Sequence, residues 1–396
     1  MRTMGTQAIG IRTPIIREGD NLPELVADSL LAYCAEDNTA LRDGDIVGIT
    51  EAVVARAQGN YATVEQVADA LRKVIPSGPV GIVYPILSRN RFAVQLKALA
   101  QGADKIIVQL SYPSDEFGNH LITAERMFEA GINPYEQTFT EDEFRNIFGD
   151  CRHIFTGIDY LQLYRNICAE VGCDVEIILS NNPCEILKYT SNVITADVHT
   201  RHMTKYRLTE GGAHTVIGLD DLMTDGAHGG GYNPEYGLLG SNKASDGRLK
   251  LFPRECDQFV ADVQSLLFQR TGAKVEVLVY GDGAIKDPVG KIWELADPVV
   301  SPAYTSGLKG LPNEIKLKNI ADSEFADKTG EEARVAMVER IRAKNNNLMG
   351  KDDSAGTTPR KLTDLVGSLC DLISGSGDKG TPVVLVRGYF DNYATE

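Results

Sequence analysis

The amino-acid sequence predicts an α/β protein, and two observations support this fold class. Short apolar runs rich in Val and Ile recur along the chain. Their hydrophobicity is continuous rather than alternating, which is typical of strands that are covered on both faces. Between these runs lie segments whose apolar residues recur at helical spacing. Strands that alternate with helices along a chain indicate an α/β architecture.

The predicted strands are the most apolar and most β-branched segments of the chain. Each is short enough for a strand and is followed by polar or turn-forming residues. In chain order they are 45–50 (DIVGIT), 80–84 (VGIVY), 105–110 (KIIVQL), 175–179 (VEIIL), 275–280 (VEVLVY) and 382–387 (PVVLVR).

The predicted helices carry one apolar stripe each. In residues 257–269 the stripe consists of Phe259, Val263, Leu266 and Leu267, and Thr271-Gly272 ends the helix. The same pattern predicts helices over 22–32, 64–74, 92–100 and 362–373.

Composition and charge exclude several classes of protein. The chain has 396 residues and a formal net charge of −15, and a nucleic-acid binder would need a basic face instead. No run of roughly 18 apolar residues predicts a membrane span, and no apolar core of a signal peptide is present near Met1, so we expect a cytoplasmic protein. The seven Cys include no CxxC pair, which indicates buried thiols rather than a disulfide framework. The length allows two to three domains, or one domain with a large insertion.

A glycine-rich loop over residues 225–242 (DGAHGGGYNPEYGLLGSN) is the first candidate site. Successive glycines let main-chain N–H groups approach a phosphate or carboxylate, while His and Asn side chains supply directional hydrogen bonds. The loop matches neither GxxxxGK[ST] nor GxGxxG, so it identifies no cofactor, and a long turn without a ligand is the alternative. A second polar segment, 344–360, is interpreted as a solvated connector.

Asp282 and Asp287 are the second candidate site, because they follow the strongly apolar run 275–280. Carboxylates that leave the carboxyl end of a sheet strand lie where α/β folds bind ligands, and two of them can bind Mg²⁺ or Mn²⁺. Two tight turns, at Asp282-Gly283 and Asp287-Pro288, are the alternative interpretation.

Asp197, His199 and His202 form a third cluster of potential metal ligands. The two His side chains would share a face only in a helix, which the neighbouring threonines and valine disfavour. Catalytic zinc is therefore the less favoured interpretation. Arg56 follows the first strong strand and precedes Gly59, so it is a candidate for binding an anion, with a surface ion pair as the alternative.

Several motifs together resemble the coenzyme F420-0:L-glutamate ligase family, the γ-glutamyl ligases of deazaflavin cofactor biosynthesis. Residues 41–50 (LRDGDIVGIT) and 55–59 (ARAQG) are similar to a family strand and its SKAEG-type turn. Residues 175–188 resemble the next strand and helix. His228-Gly229, Ser241-Asn242 and 246–253 (DGRLKLFP) follow the family order of an HG loop, an SN pair and an EGxLLLLP run. Residues 287–293 (DPVGKIW) are similar to the D-T-F-G-R-P-W motif, and 381–388 (TPVVLVRG) to the family ending.

The resemblance implies a homodimeric ligase core built from residues 1–75 and 175–396, with residues 76–174 as an inserted α/β lobe. Mixed-sheet topology with flanking helices is expected for that core. The implied reaction is GTP-dependent: an acidic acceptor such as F420-0 is phosphorylated, and L-glutamate displaces the phosphate, with Mg²⁺ or Mn²⁺ as the metal. The partners are therefore small molecules, with neither nucleic acid nor membrane among them.

The resemblance also assigns roles to residues. Arg56, His228 and Asn242 are implied as catalytic residues, whereas Gly229, Gly230, Ser241 and Arg387 are implied to bind the nucleotide. Asp287 and Asp282 are implied to bind the metal.

The chain departs from the family pattern at three positions. Leu239 stands where the family has a metal-binding Asp, and Glu235 is the nearest carboxylate that could replace it. Ala52 stands in place of a basic residue, and Pro288 in place of Thr. These departures support an alternative, a non-catalytic homologue that binds a nucleotide or metabolite, or a ligase with a different acceptor. Metal-assisted hydrolysis by Asp197, His199 and His202 is a third and weaker hypothesis.

Overall fold

The computed structural model describes residues 3–154, 156–281, 284–286, 293–295, 301–358, 360–375 and 377–395. The α-helices are α1 (Leu22–Glu36), α2 (Glu51–Ala57), α3 (Val64–Val74), α4 (Phe92–Gly102), α5 (Ala124–Glu129), α6 (Glu141–Phe148), α7 (Tyr160–Glu170), α8 (Arg201–Glu210), α9 (Cys256–Thr271), α10 (Leu317–Ser323), α11 (Gly330–Arg342) and α12 (Leu362–Ile373). Short 3₁₀ turns cover Pro183–Lys188, Leu219–Asp221, Gly226–His228, Ser306–Leu308 and Asp352–Ser354.

The strands confirm the predicted fold class. They are β1 (Gln7–Ile11), β2 (Ile46–Thr50), β3 (Tyr61–Thr63), β4 (Pro79–Val83), β5 (Lys105–Leu110), β6 (Phe139–Thr140), β7 (Asp174–Leu179), β8 (Asn192–Thr195), β9 (Thr215–Gly218), β10 (Asn242–Ser245), β11 (Arg248–Lys250), β12 (Glu276–Tyr280), β13 (Ala284–Lys286), β14 (Trp293–Leu295), β15 (Ala303–Tyr304) and β16 (Val383–Arg387). All six predicted strands are present as β2, β4, β5, β7, β12 and β16, and all five predicted helices as α1, α3, α4, α9 and α12.

The first sheet joins the two ends of the chain in the order β1-β16-β2-β12-β15. It is mixed: β2 and β12 are parallel, whereas β16 pairs antiparallel with both β1 and β2. On one face α1 and α9 pack their apolar residues against β2 and β12. On the other face α12 lies so close that a Cβ on Gly48 would come within 2.5 Å of Cys370 Sγ. Glycine at this position is thus required by packing.

A small antiparallel sheet, β10-β11-β3, connects the first sheet to the glycine-rich loop. In its register Asn242 is opposite Lys250, and Lys250 is opposite Tyr61. The strand β3 follows α2, and only β11 separates it from β10. The sheet therefore brings the start of β10 near the segment that follows α2.

The third sheet has six strands in the order β6-β7-β5-β4-β8-β9. Apart from β6, which pairs antiparallel with β7 at one edge, its neighbouring strands are parallel. The chain starts at β4, moves outward to β5 and β7, and then returns to the other side of β4 as β8 and β9. This order is that of a doubly wound α/β sheet, and its direction reverses between β4 and β8. Separate apolar clusters cover the two faces of this sheet.

The third sheet extends across the boundary expected at residue 174. Strand β7 begins at Asp174 and pairs along its length with β5, and β8 pairs with β4. The strand expected to open the second part of the ligase core is thus hydrogen-bonded to the lobe that precedes it. The division into residues 1–75, 76–174 and 175–396 stays a prediction. Among the helices that the structure describes, none combines the length and the apolar character needed to cross a membrane.

Candidate functional site

The glycine-rich loop packs against the segment that runs from α2 into α3. Gly229, with φ 72°, ends the 3₁₀ turn Gly226–His228, and Asp225 caps the start of that turn. Gly231 donates its N–H to Tyr61 O at 2.6 Å. A Cβ on Gly231 would lie 2.6 Å from Tyr61 N, and one on Gly230 would collide with the Gln66 side chain. Gly230 and Gly231 are therefore required by packing against the protein itself, while Gly229 is exposed.

Two buried asparagines hold the loop in place. Asn60 donates from Nδ2 to Phe252 O at 2.6 Å and to Tyr232 O at 3.0 Å, and its Oδ1 accepts from Tyr232 N. Asn233 donates to Pro253 O at 3.0 Å and accepts from the N–H groups of Glu235 and Tyr236. Each amide thus satisfies backbone groups that would otherwise be buried without a partner. The loop is a fixed structure rather than an open turn.

The SN pair lies beside a buried ion pair. Ser241 is fully buried and accepts from Gln95 Nε2 at 2.9 Å, and Asn242 opens β10 opposite Lys250. Lys250 Nζ donates to both carboxylate oxygens of Glu51, at 3.0 and 2.9 Å. Glu51 directly follows β2, whose carboxyl end is level with that of its parallel neighbour β12. A carboxylate and an ammonium group therefore lie at the ligand-binding edge of a parallel strand pair.

Cationic and donor groups surround the loop. The Arg254 guanidinium lies over the Tyr232 ring, 4.4 Å from its centroid. Lys73 Nζ is 3.3 Å from His228 Nδ1. Because an ammonium group only donates, Nδ1 is the acceptor in this contact, which leaves Nε2 as the ring nitrogen that carries a proton. His228 can then donate from Nε2 to an anion. Arg56 is exposed on α2, within the segment that leads into Asn60.

The structure does not bring all predicted site residues to this loop. Arg387 lies at the other end of β2, since Val386 is opposite Ile46. Its guanidinium donates to Thr39 Oγ1 at 2.7 Å and to Ala40 O at 2.6 Å. These partners belong to the protein itself, so the hydrogen bonds indicate a structural role for Arg387. Asp282 and Asp287 lie outside the described residues. Glu235 is exposed in the loop.

Leu239, the position at which the resemblance implies a metal-binding Asp, is 5% exposed and belongs to an apolar cluster. Among the residues that the structure describes, no group of three or more His, Cys, Asp or Glu side chains could hold a metal ion. This finding includes Asp197, His199 and His202, of which only His202 lies in α8. The hypothesis of a zinc site at these three residues is therefore wrong.

The sequence interpretation missed four residues of this site: Glu51, Asn60, Lys250 and Arg254. A lysine inside the apolar run 249–252 (LKLF) was a signal for a buried ion pair, because lysine is rarely buried without a partner. Asn60 carried no such signal, since its partners lie 172 and 192 residues away along the chain.

Comparison with known proteins identifies the family. A search of curated proteins found no match. The family described as F420-0:Gamma-glutamyl ligase matches residues 10–388, nearly the whole chain, including the range expected to be an insertion. Taken with the loop and the SN pair in the predicted chain order, this match shows that the chain belongs to the F420-0:γ-glutamyl ligase family.

Proposed function

We propose that this protein is a nucleoside-triphosphate-dependent amide ligase that joins L-glutamate to a small acidic acceptor such as F420-0, with GTP as the phosphate donor. The observation that carries the proposal is the fixed glycine-rich loop, with Arg254 and the His228 donor beside it, in a chain of the γ-glutamyl ligase family. Cations and N–H donors held in place are what triphosphate transfer requires.

The proposed reaction has two steps. An acceptor carboxylate oxygen attacks the γ-phosphorus, the bond from that phosphorus to the bridging oxygen breaks, and the nucleoside diphosphate leaves. The amino group of L-glutamate then attacks the acyl carbon, the carbon–oxygen bond to phosphate breaks, and an amide forms. Phosphate leaves with the electron pair of that bond, and the amine proton passes to solvent. Positioning and charge stabilisation supply most of the catalysis.

The placement of the side chains supports the roles that we propose for them. His228 Nε2 and the Arg254 guanidinium would bind phosphate oxygens, and Arg56 on α2 would add positive charge. Asn242 would orient a substrate through its amide. Lys250 would act as a positioning residue, because its ammonium group is bound by Glu51.

Dependence on Mg²⁺ or Mn²⁺ is part of the proposal. The described residues offer no metal cluster, so a metal would depend on Asp282 and Asp287. When bound, a divalent cation would neutralise the negative charge of the transferred phosphate. We also propose a homodimer and a cytoplasmic location. The latter is supported by the seven free cysteines, six of which are buried.

A direct assay tests the proposal. Phosphate release is measured from GTP and ATP with Mg²⁺ or Mn²⁺, with and without L-glutamate and F420-0, and the acceptor is weighed by mass spectrometry. We expect release that requires both substrates and an acceptor heavier by one glutamate residue. Release without any change in acceptor mass would contradict the proposal.

One observation favours a second candidate, a homologue that binds a nucleotide or metabolite without turning it over. Leu239 is packed in an apolar cluster, at the position where the resemblance implies a metal-binding Asp. Saturable binding of GTP with no turnover of any acceptor tested would favour this candidate.

A further inference from the structure

A polar crevice lies at the carboxyl edge of the six-stranded sheet, away from the glycine-rich loop. It has a volume of about 230 Å³, and the segments that line it follow β4, β5, β7 and β8. The strand order reverses between β4 and β8, and open α/β sheets bind ligands at such a reversal. No residue of this crevice belongs to the ligase site described above.

Asp197 is the central side chain of the crevice. It is 1% exposed, and its Oδ2 accepts hydrogen bonds from Thr200 Oγ1 at 2.6 Å and Thr204 Oγ1 at 2.7 Å. Its other oxygen, Oδ1, is buried and has no hydrogen-bond partner among the described residues. A buried charged acceptor without a partner is costly, so this oxygen indicates a missing donor.

The hydroxyl of Tyr84, which follows the neighbouring strand, is a second buried polar group of the crevice. Val83 of β4 pairs with Thr195 of β8, and Tyr84 and Asp197 follow those two residues. The Tyr84 hydroxyl is also buried; the Gln109 side chain is beside it, but no hydrogen bond of ordinary geometry reaches the hydroxyl from the described residues. The two groups therefore leave adjacent strands at the point of reversal, and both line the crevice.

The charge of the crevice is negative. Glu116 accepts from the N–H groups of Val198 at 2.5 Å and His199 at 3.0 Å, and Asp115 accepts from Leu87 N at 2.8 Å. None of the described residues that line the crevice is basic. Burial raises the pKa of the carboxyl groups of Asp115, Glu116 and Asp197, so a bound cation would offset the cost of their ionisation.

Three observations narrow the chemical class and the size of the ligand. The loop that follows β4, residues 84–91 (YPILSRNR), contains no glycine, so it lacks the phosphate-binding turn of nucleotide sites. The carboxylates do not form a metal cluster. The volume is below the roughly 300 Å³ at which sites for drug-sized molecules begin.

We propose that this crevice binds a small molecule with a primary ammonium group, no larger than an amino acid. The ammonium group donates to Asp197 Oδ1 and to the Tyr84 hydroxyl oxygen, and Glu116 adds negative charge. This inference does not depend on the proposed ligase activity.

Isothermal titration calorimetry of the full chain at pH 8 tests the inference, with putrescine and ethanolamine as ammonium probes and 1,4-butanediol as an uncharged control. We expect saturable binding of an amine and none of the diol. Asp197→Asn should weaken amine binding about 10- to 100-fold, the value of a hydrogen bond to a charged group, and Tyr84→Phe roughly 2- to 10-fold. Glu170→Gln, an equal charge change on the exposed surface of α7, should leave binding unchanged.

The inference would be overturned if neither amine bound to the folded chain, or if the diol bound equally well. It would also be overturned by equal losses of affinity in Glu170→Gln and Asp197→Asn, or by wild-type affinity in both Tyr84→Phe and Asp197→Asn. Saturable Mg²⁺ binding that is lost in Asp197→Asn and competes with putrescine would assign the crevice to a metal instead, which also overturns it. If Asp197→Asn does not fold, Tyr84→Phe decides.

Discussion

Arg254 is a single residue whose replacement tests the ligase site. Its guanidinium is stacked on Tyr232 in the glycine-rich loop, where it would contact a triphosphate. Arg254→Met keeps much of the apolar stem and removes the charge. Loss of one hydrogen bond to a charged group costs about 1.5–3 kcal/mol of binding free energy. The KM for GTP should therefore rise roughly 10- to 100-fold.

Steady-state kinetics at saturating glutamate measures that change. Arg334→Met is the matched control, because Arg334 is on α11 and pairs with Glu331 on the surface. An unchanged KM in Arg254→Met would remove Arg254 from the nucleotide site.

Glu116 is a residue whose ionisation should affect stability. Burial raises the pKa of its carboxyl group from 4.5 to about 7. Between these two pH values the folded chain binds the proton more tightly than the unfolded chain does, so stability falls as the pH rises. The contribution of this one group is about 3 kcal/mol over that interval.

Urea unfolding at pH 4.5 and pH 7 measures this dependence. Between pH 4.5 and pH 7 the free energy of unfolding should fall less in Glu116→Gln than in the wild type. The difference between the two falls should be up to about 3 kcal/mol. It should also be less stable at the lower pH, because one backbone N–H loses its acceptor. Part of the decline should remain, since burial also raises the pKa of Asp115 and Asp197. The same pH dependence in Glu116→Gln and wild type would contradict the raised pKa.

At the scale of an element, the glycine-rich loop depends on close packing at one position. Gly231→Ala would place a Cβ 2.6 Å from Tyr61 N and 2.7 Å from Asn60 C. Both are backbone atoms, which no side-chain rotation can move away. We expect a loss of about 1–3 kcal/mol in stability, as for other overpacked sites. Ligase activity should fall with it, because Asn60 and Tyr232 would move.

Gly226→Ala is the control for this change in the same loop. Its Cβ would meet only the Tyr232 ring, at an ordinary 3.5 Å from Cε1 and 3.7 Å from Cδ1, and we expect a change in stability within about 0.5 kcal/mol. Thermal unfolding and turnover of both variants are compared. Equal effects of the two substitutions would show that the loop tolerates a side chain at Gly231.

At the scale of the whole molecule, we expect apolar cores to hold the fold without a metal. The first sheet and the six-stranded sheet have separate apolar clusters, and the described residues contain no metal cluster. Removal of divalent cations with EDTA should therefore leave the circular dichroism spectrum native, whereas ligase turnover, which we propose depends on Mg²⁺ or Mn²⁺, should be lost. Added Mg²⁺ should restore turnover. Loss of the native spectrum in EDTA would give a metal a structural role.

The sequence by itself determined the most apolar helices and strands of this protein. The apolar runs and stripes predicted β2, β4, β5, β7, β12 and β16 and five helices, because the burial of a strand or helix face is encoded in the spacing of neighbouring residues. The order of short motifs predicted the family, and the match over residues 10–388 confirmed it.

Only the tertiary structure decided which elements meet. It paired β2 with β12 and β16, brought Lys250 to Glu51 from 199 residues away, and placed Arg387 at the end of β2 opposite the loop. It also created the crevice around Asp197 by setting β8 beside β4. Such contacts join residues that are distant along the chain, so they depend on strand order and register, which no local pattern of residues encodes.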